Sequence, residues 1–167
     1  MSADRTPLHL EDLRPGQRWE TAGHTLTAEE VVAYAADFDP QPFHLDEAAA
    51  RDSLFGALAA SGWHTAAITM RLPAVGSAAR IGAGARIDWP RPTLPGDTLR
   101  AVCEIVEVRP SRSRPDRGLV TMLTTTLNQR DEVVQTLTAT LVVPRAGAGR
   151  PPPPTGSVPG DRTPSGG

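Results

Sequence analysis

The chain has 167 residues, enough for one domain with its own core, and a formal net charge of −2 with both signs mixed along it. That balance excludes a basic nucleic-acid surface, and a single cysteine, Cys103, excludes a disulfide framework or a cysteine metal cage. No apolar run approaches the roughly 20 residues of a membrane span, and the polar start, Met1 to Asp12, lacks the apolar stretch of a secretory signal, so a cytoplasmic protein with no membrane partner is expected.

In chain order, Leu13-Arg14-Pro15-Gly16-Gln17 is a turn leading into a short strand from Arg18 to Thr21. Thr27 and Glu30 have the spacing of a helix N-cap and its capping-box partner, with Leu26 and Val31 at the staple positions. Val31, Tyr34, Ala35 and Phe38 then mark one buried helix face. Pro40 prevents the helix from continuing and biases Asp39 away from helical geometry. The segment from Phe38 to Asp46, with Pro40 and Pro42 inside it, reads as a stiff turn, neither helix nor central strand. Asp46 to Asp52 is a short helix with an acidic first turn. Trp63 to Leu72 is a longer helix, apolar nearly all round, which predicts burial on most sides.

The second half is strand-like. Arg80 to Trp89, Asp97 to Val108, Gly118 to Gln129 and Val133 to Val143 read as four strands, the last alternating Leu137, Ala139, Leu141 and Val143 with threonines. Cys103 falls in such a pattern and reads as a small core residue. Helices followed by an antiparallel meander give an α+β class. Residues 146–167 are almost wholly Gly, Pro, Ser, Thr and Arg, including Pro151 to Pro154. This composition predicts a solvated, disordered tail, although a Pro-rich run also suits a docking ligand. The domain is therefore expected over residues 1–145.

The segment that carries chemistry is Phe38-Asp39-Pro40-Gln41-Pro42-Phe43-His44-Leu45-Asp46. An acid and a base, Asp39 and His44, are fixed by prolines beside an apolar helix, as proton transfer requires. Of the other histidines, His64 sits in the first turn of the central helix and reads as a packed or capping residue, with a catalytic part as the alternative. His9 and His24 lie in polar sequence. No metal-ligand spacing is present, so no metal is expected. Arg109, Arg112, Arg114 and Arg117 crowd one loop, either to meet phosphates or as a solvated face.

The same segment resembles the motif Gly-Asp-x-Asn-Pro-x-His-x-Asp of the MaoC-like dehydratases, which include the (R)-specific enoyl-CoA hydratases. Asp39, Pro42, His44 and Asp46 fall in register. Phe55-Gly56, Ala60-Ser61-Gly62 and Pro92-Thr93-Leu94-Pro95-Gly96-Asp97-Thr98-Leu99 follow in family order, and the likeness spans residues 13–144. It implies a single hot-dog domain, an antiparallel sheet wrapped around a central helix, joining a partner copy as a homodimer. It implies reversible hydration of a 2-enoyl thioester by Asp39 and His44. No cofactor is implied, coenzyme A or acyl carrier protein arriving as part of the substrate. Backbone N–H groups near Ser61, Gly62 and Trp63 suit the thioester oxygen, with Gly62 allowing close approach. Phe38, Gln41, Phe43 and Met70 are the expected pocket residues.

Two positions depart from the motif: Phe38 stands for Gly and Gln41 for Asn. Phe38 either narrows the acyl pocket or ends the core stripe of its helix. Two other functions fit the same fold: an acyl-CoA thioesterase and a non-catalytic acyl-binding or partner subunit.

Overall fold

The computed structural model describes residues 9–72 and 81–147. Six strands form an antiparallel sheet: β1 (Arg18–Glu20), β2 (His24–Thr25), β3 (Ile81–Asp88), β4 (Thr98–Pro110), β5 (Arg117–Leu127) and β6 (Val133–Pro144). The order across the sheet is β1-β4-β5-β6-β3, with β2 pairing the start of β4. Among the described residues there are also four α-helices, α1 (Ala28–Phe38), α2 (Pro42–Leu45), α3 (Glu47–Arg51) and α4 (Gly62–Arg71), and a 3-10 turn at Leu10–Asp12. This is the hot-dog arrangement, with α4 as its central helix.

Strand alternation builds the core. Along β4 as far as Ile105, and along β5, every second residue is buried, so Cys103, Ile105, Val120 and Met122 share one apolar cluster with Leu10 and Leu13 of the N-terminal turn. A second cluster lies under the helices, where Leu26, Val31, Ile68, Leu99 and Val134 meet. Leu26, Val31 and Leu99 are at most 1% exposed, and each such burial stabilises by roughly 1.5–3 kcal/mol.

The capping box at α1 is formed. Thr27 Oγ1 accepts the Glu30 N–H at 3.2 Å, and the Glu30 carboxylate accepts the Thr27 N–H at 3.0 Å. A cap of this kind contributes about 1 kcal/mol. Glu30 also joins a bridge between elements. Arg71 donates to His24 Nδ1 at 3.0 Å, so His24 Nε2 carries the proton that meets Glu30 at 3.2 Å.

Two expectations about local structure are corrected. The Pro40–Pro42 segment contains a turn of helix, α2, because Pro42 occupies its first position, where no N–H is needed. The central helix is buried over most of its circumference, through His64, Thr65, Ala66, Ile68 and Thr69, and the expectation needs correcting for one face. Trp63, Ala67 and Met70 share one face of α4 and are exposed, Trp63 at 59% and Met70 at 69%. β3 shows the same feature, since all its residues except Ile87 are exposed.

At the C-terminal end β6 reaches Pro144, and the ordered contacts continue beyond it. Arg145 N–H donates to the Asp116 carbonyl at 2.9 Å. The Glu11 carboxylate accepts from Arg145 Nε at 2.7 Å and from the Ala146 N–H at 2.9 Å. The expected start of the tail at residue 146 thus falls on a residue tied to the domain. Residues 148–167, with Pro151 to Pro154, lie outside the described residues.

Candidate active site

α1 ends at Asp39, whose N–H still bonds to the Ala35 carbonyl at 2.9 Å while its backbone leaves helical geometry. The chain then turns tightly: Gln41 N–H donates to Asp39 O at 2.7 Å and His44 N–H to Gln41 O at 2.9 Å. These bonds bring Asp39 and His44 to the same side. His44 is only 4% exposed, and its Nδ1 lies 2.7 Å from the Ala59 carbonyl. A carbonyl only accepts, so Nδ1 carries a proton, and in the neutral imidazole Nε2 is the acceptor. That Nε2 faces Asp39 Oδ2 at 3.6 Å, too far for a direct hydrogen bond.

Asp39 is held by two further donors. The Ser61 hydroxyl donates to Oδ2 at 2.6 Å, and the Gln41 side-chain amide donates to Oδ1 at 2.8 Å. The Ser61 bond first, then the Gln41 bond, keep the Asp39 carboxyl below its ordinary range; partial burial opposes them and His44 adds a smaller push in the same direction. Ser61 is also the N-cap of α4 and accepts the Trp63 N–H at 3.2 Å. One hydroxyl therefore joins the carboxylate to the start of the central helix.

The residues 59–61 tie three parts of the site together. Ala59 O receives His44, Ala60 N–H donates to Thr93 O at 2.8 Å, and Ser61 holds Asp39. Asp39 and His44 open onto a pocket of about 410 Å³ lined also by Gln41, Phe43, Phe55, Ser61, Gly62, Trp63, Trp89 and residues 90–93. Phe43 packs edge-on to His44 with ring centres 4.6 Å apart.

The MaoC like domain family matches residues 10–127, more than two thirds of the chain. This chain belongs to the MaoC-like family. Among solved structures it is similar to the MaoC-like dehydratase of Rhodospirillum rubrum, at 56% identity over 83% of this chain and 97% of that one, with a TM-score of 0.79. It is also similar to the (R)-hydratase PhaJ1 of Pseudomonas aeruginosa, at 25% identity over 90% of this chain and 97% of that one, with a TM-score of 0.69. Among curated proteins, the uncharacterized protein YdeM of Bacillus subtilis is 29% identical over 74% of this chain and 90% of its own length.

Within this MaoC-like site the expected residues divide. Asp39, Gln41, Phe43, His44, Ser61, Gly62 and Trp63 all line the pocket. Phe38 and Met70 do not. Phe38 is 71% exposed and leans on Tyr34 with ring centres 5.0 Å apart, so it neither narrows the pocket nor ends a core stripe. Its helix turns the ring outward one residue before the chain reverses. Met70 lies on the exposed face of α4. Gly62 is close-packed, but not in the way expected: a Cβ there would meet the Trp89 indole at 2.8 Å. His64 is buried, stacks on Tyr34 with rings 4.5 Å apart and 3° from parallel, and lines no part of the pocket.

Trp89 and Pro90 line the pocket but were not expected there, and Pro92 and Thr93 were expected only as part of a family-like turn. The signal was present. Trp89-Pro90-Arg91-Pro92 repeats the stiff, Pro-spaced pattern of the Asp39 segment, directly after a strand. The arginine loop between β4 and β5 contributes nothing to the pocket; Arg117 there pairs with Asp116 at 2.6 Å. Among the described residues no three His, Cys, Asp or Glu side chains gather as a metal site, and no helix is long and apolar enough to cross a membrane.

Proposed function

We propose that this MaoC-like chain adds water reversibly to a 2-enoyl thioester of coenzyme A or of an acyl carrier protein, giving the 3-hydroxyacyl thioester. The observation that carries this reading is Asp39 Oδ2 and His44 Nε2, 3.6 Å apart on one pocket wall at the N-terminus of α4. A water bonded to both atoms is placed to attack Cβ of a thioester in the pocket. Its oxygen forms the bond to Cβ while the alkene π pair moves toward the thioester carbonyl. His44 Nε2 takes the water's proton. Asp39 stays ionised, orients the water's remaining hydrogen and offsets the imidazolium charge. Cα then receives one proton from the pair, so the enzyme ends as it began; dehydration runs the same steps in reverse. General acid–base assistance of this kind contributes ~10²–10⁴ in rate.

The enolate-like oxygen needs donors that do not titrate. Ser61 takes the Trp63 N–H, and the Gly62 and His64 amides stand outside the intrahelical ladder, at the positive end of the α4 dipole. The reaction requires no cofactor, since coenzyme A or the carrier protein enters with the substrate. The reading places the enzyme in the cytoplasm, where such thioesters are made and used.

The same reading makes the chain a homodimer. The exposed Trp63–Ala67–Met70 face of α4 and the exposed edge strand β3 are surfaces that a second copy covers. Sedimentation at micromolar concentration should give twice the chain mass; a monomer there removes this part.

Purified protein is to be mixed with crotonyl-CoA and longer 2-enoyl-CoAs. Loss of enoyl absorbance with formation of the 3-hydroxyacyl-CoA supports hydration. Release of free coenzyme A thiol without hydration indicates the thioesterase. Binding without turnover indicates the silent acyl-binding subunit.

A further inference from the structure

One wall of the pocket, the half-exposed Trp89 ring, is fixed by a part-buried hydrogen bond that continues into a buried run the proposed chemistry does not use. Gln135 on β6 is fully buried. Its side-chain oxygen accepts the Trp89 indole N–H at 2.8 Å, and its NH₂ group donates to Thr69 Oγ1 at 2.9 Å. Thr69 spends its own proton on the Thr65 carbonyl at 2.9 Å, so the Thr126 hydroxyl, 2.8 Å away on β5, donates to it. Strands β5 and β6 and helix α4 are thus bolted to the Trp89 ring through groups that are each satisfied only in this arrangement.

The ring itself is pressed against the start of α4. The position a Gly62 Cβ would take lies 2.8 Å from two indole carbons. Trp63 meets the same ring edge-on at 5.4 Å. Gly62 directly follows Ser61, whose hydroxyl holds Asp39 at 2.6 Å. A large flat wall therefore stands one residue from the group that positions the carboxylate, and it lines the same pocket. To move aside for a longer guest, the indole must leave Gln135 with a fully buried oxygen unpartnered, which the interior penalises.

We infer that Trp89, locked in orientation by Gln135, sets the acyl specificity of this pocket, admitting short or compact groups and rejecting long straight chains. This rests on the thioester reading above and assigns to Trp89 the narrowing that Phe38 does not perform.

The test is calorimetric binding of butyryl-CoA and octanoyl-CoA, beside kcat/KM for the 2-enoyl-CoAs of the same lengths, in the wild type, Trp89→Ala, Trp89→Phe and Gln135→Leu. The wild type should prefer the four-carbon chain. Trp89→Ala should raise the octanoyl-to-butyryl affinity ratio at least tenfold, a scale that pocket substitutions reach. Gln135→Leu, which keeps the ring but frees it, should move the ratio the same way by less. A purely structural part for Trp89 would weaken both ligands alike. An unchanged ratio, a wild-type preference for octanoyl-CoA, or no binding of either overturns the inference. If Trp89→Ala does not fold, Trp89→Phe and Gln135→Leu decide by the same ratio. Binding without hydration would refute the hydratase reading alone, because saturated ligands report on the wall independently of turnover.

Discussion

The Ser61 hydroxyl donates to Asp39 Oδ2 at 2.6 Å, while the same oxygen stands 3.6 Å from His44 Nε2. The carboxylate is therefore gripped by a neutral donor and left open toward its basic partner, with a gap suited to a shared water. Ser61→Ala removes the larger of the two bonds that keep the Asp39 carboxyl below 3.8. Its titration midpoint should rise, and the acid limit of folding should rise with it. The sign follows because a depressed carboxyl stabilises the fold fully above its unfolded value and loses that contribution as pH falls through its folded value. Carbon NMR of the Asp39 carboxyl in the two proteins measures the shift; an unmoved midpoint shows that Ser61 does not hold the group.

Asp39→Asn keeps the shape of the side chain and should lower turnover of crotonyl-CoA by ~10²–10⁴; its amide can accept only one of the two bonds from Ser61 and Gln41, so the Tm should also fall modestly. His44→Gln should lose activity to a similar extent but also cost about 1–3 kcal/mol, since it strands the Ala59 carbonyl in a buried setting. Initial rates paired with thermal melts check both. A near wild-type rate in either variant sinks the dyad.

Gly62 and Trp89 should be energetically coupled. Gly62→Ala alone pushes a methyl group into the indole and should destabilise by about 1–3 kcal/mol. In a Trp89→Ala background the same change no longer meets those three indole atoms, and helix propensity should make it neutral or favourable. A double-mutant cycle on urea midpoints measures this, and strict additivity would show that the two side chains do not compete for space.

His64 should make stability depend on pH. Burial first holds its imidazole below 6.5; Glu30 opposes this, while His24 and Arg71 reinforce it. Its Nδ1 is buried without a partner. The unfolded chain therefore binds the proton more readily, so stability is full above pH 6.5 and declines as pH falls from 6.5 through the folded value. His64→Phe should flatten that decline between pH 7.5 and 5.5 in urea titrations. An equal slope in both proteins would place its origin elsewhere.

Chain ends can be tested the same way. Stopping the chain after Gly147 should leave the Tm unchanged. Stopping after Pro144 should lower it, because Glu11 then loses both Arg145 and the Ala146 N–H, which together hold its carboxyl down to about 2. Equal Tm values in the two truncations would show that this clasp contributes nothing.

What the sequence disclosed was local. The capping box at Thr27, the strand alternation around Leu137, and the proximity of Asp39 to His44 across Pro40 and Pro42 all depend on neighbours a few residues apart. What it concealed was long-range. Trp89 belongs to the pocket because Gln135, 46 residues on, receives its N–H, and no periodicity encodes that meeting. Phe38 and Met70 fit apolar stripes that look identical whether they face a pocket, a core or another molecule. The α2 turn was hidden for a different reason: proline disfavours a helix interior but suits a helix start.

The short run Ala59–Ala60–Ser61 serves as a common datum for the site. One residue fixes the imidazole, the next the Thr93 loop, and the third the carboxylate. Damage at this run should therefore abolish activity rather than tune it, because no part can drift while the others stay in place. The Trp89 ring is anchored separately, by Gln135 on β6.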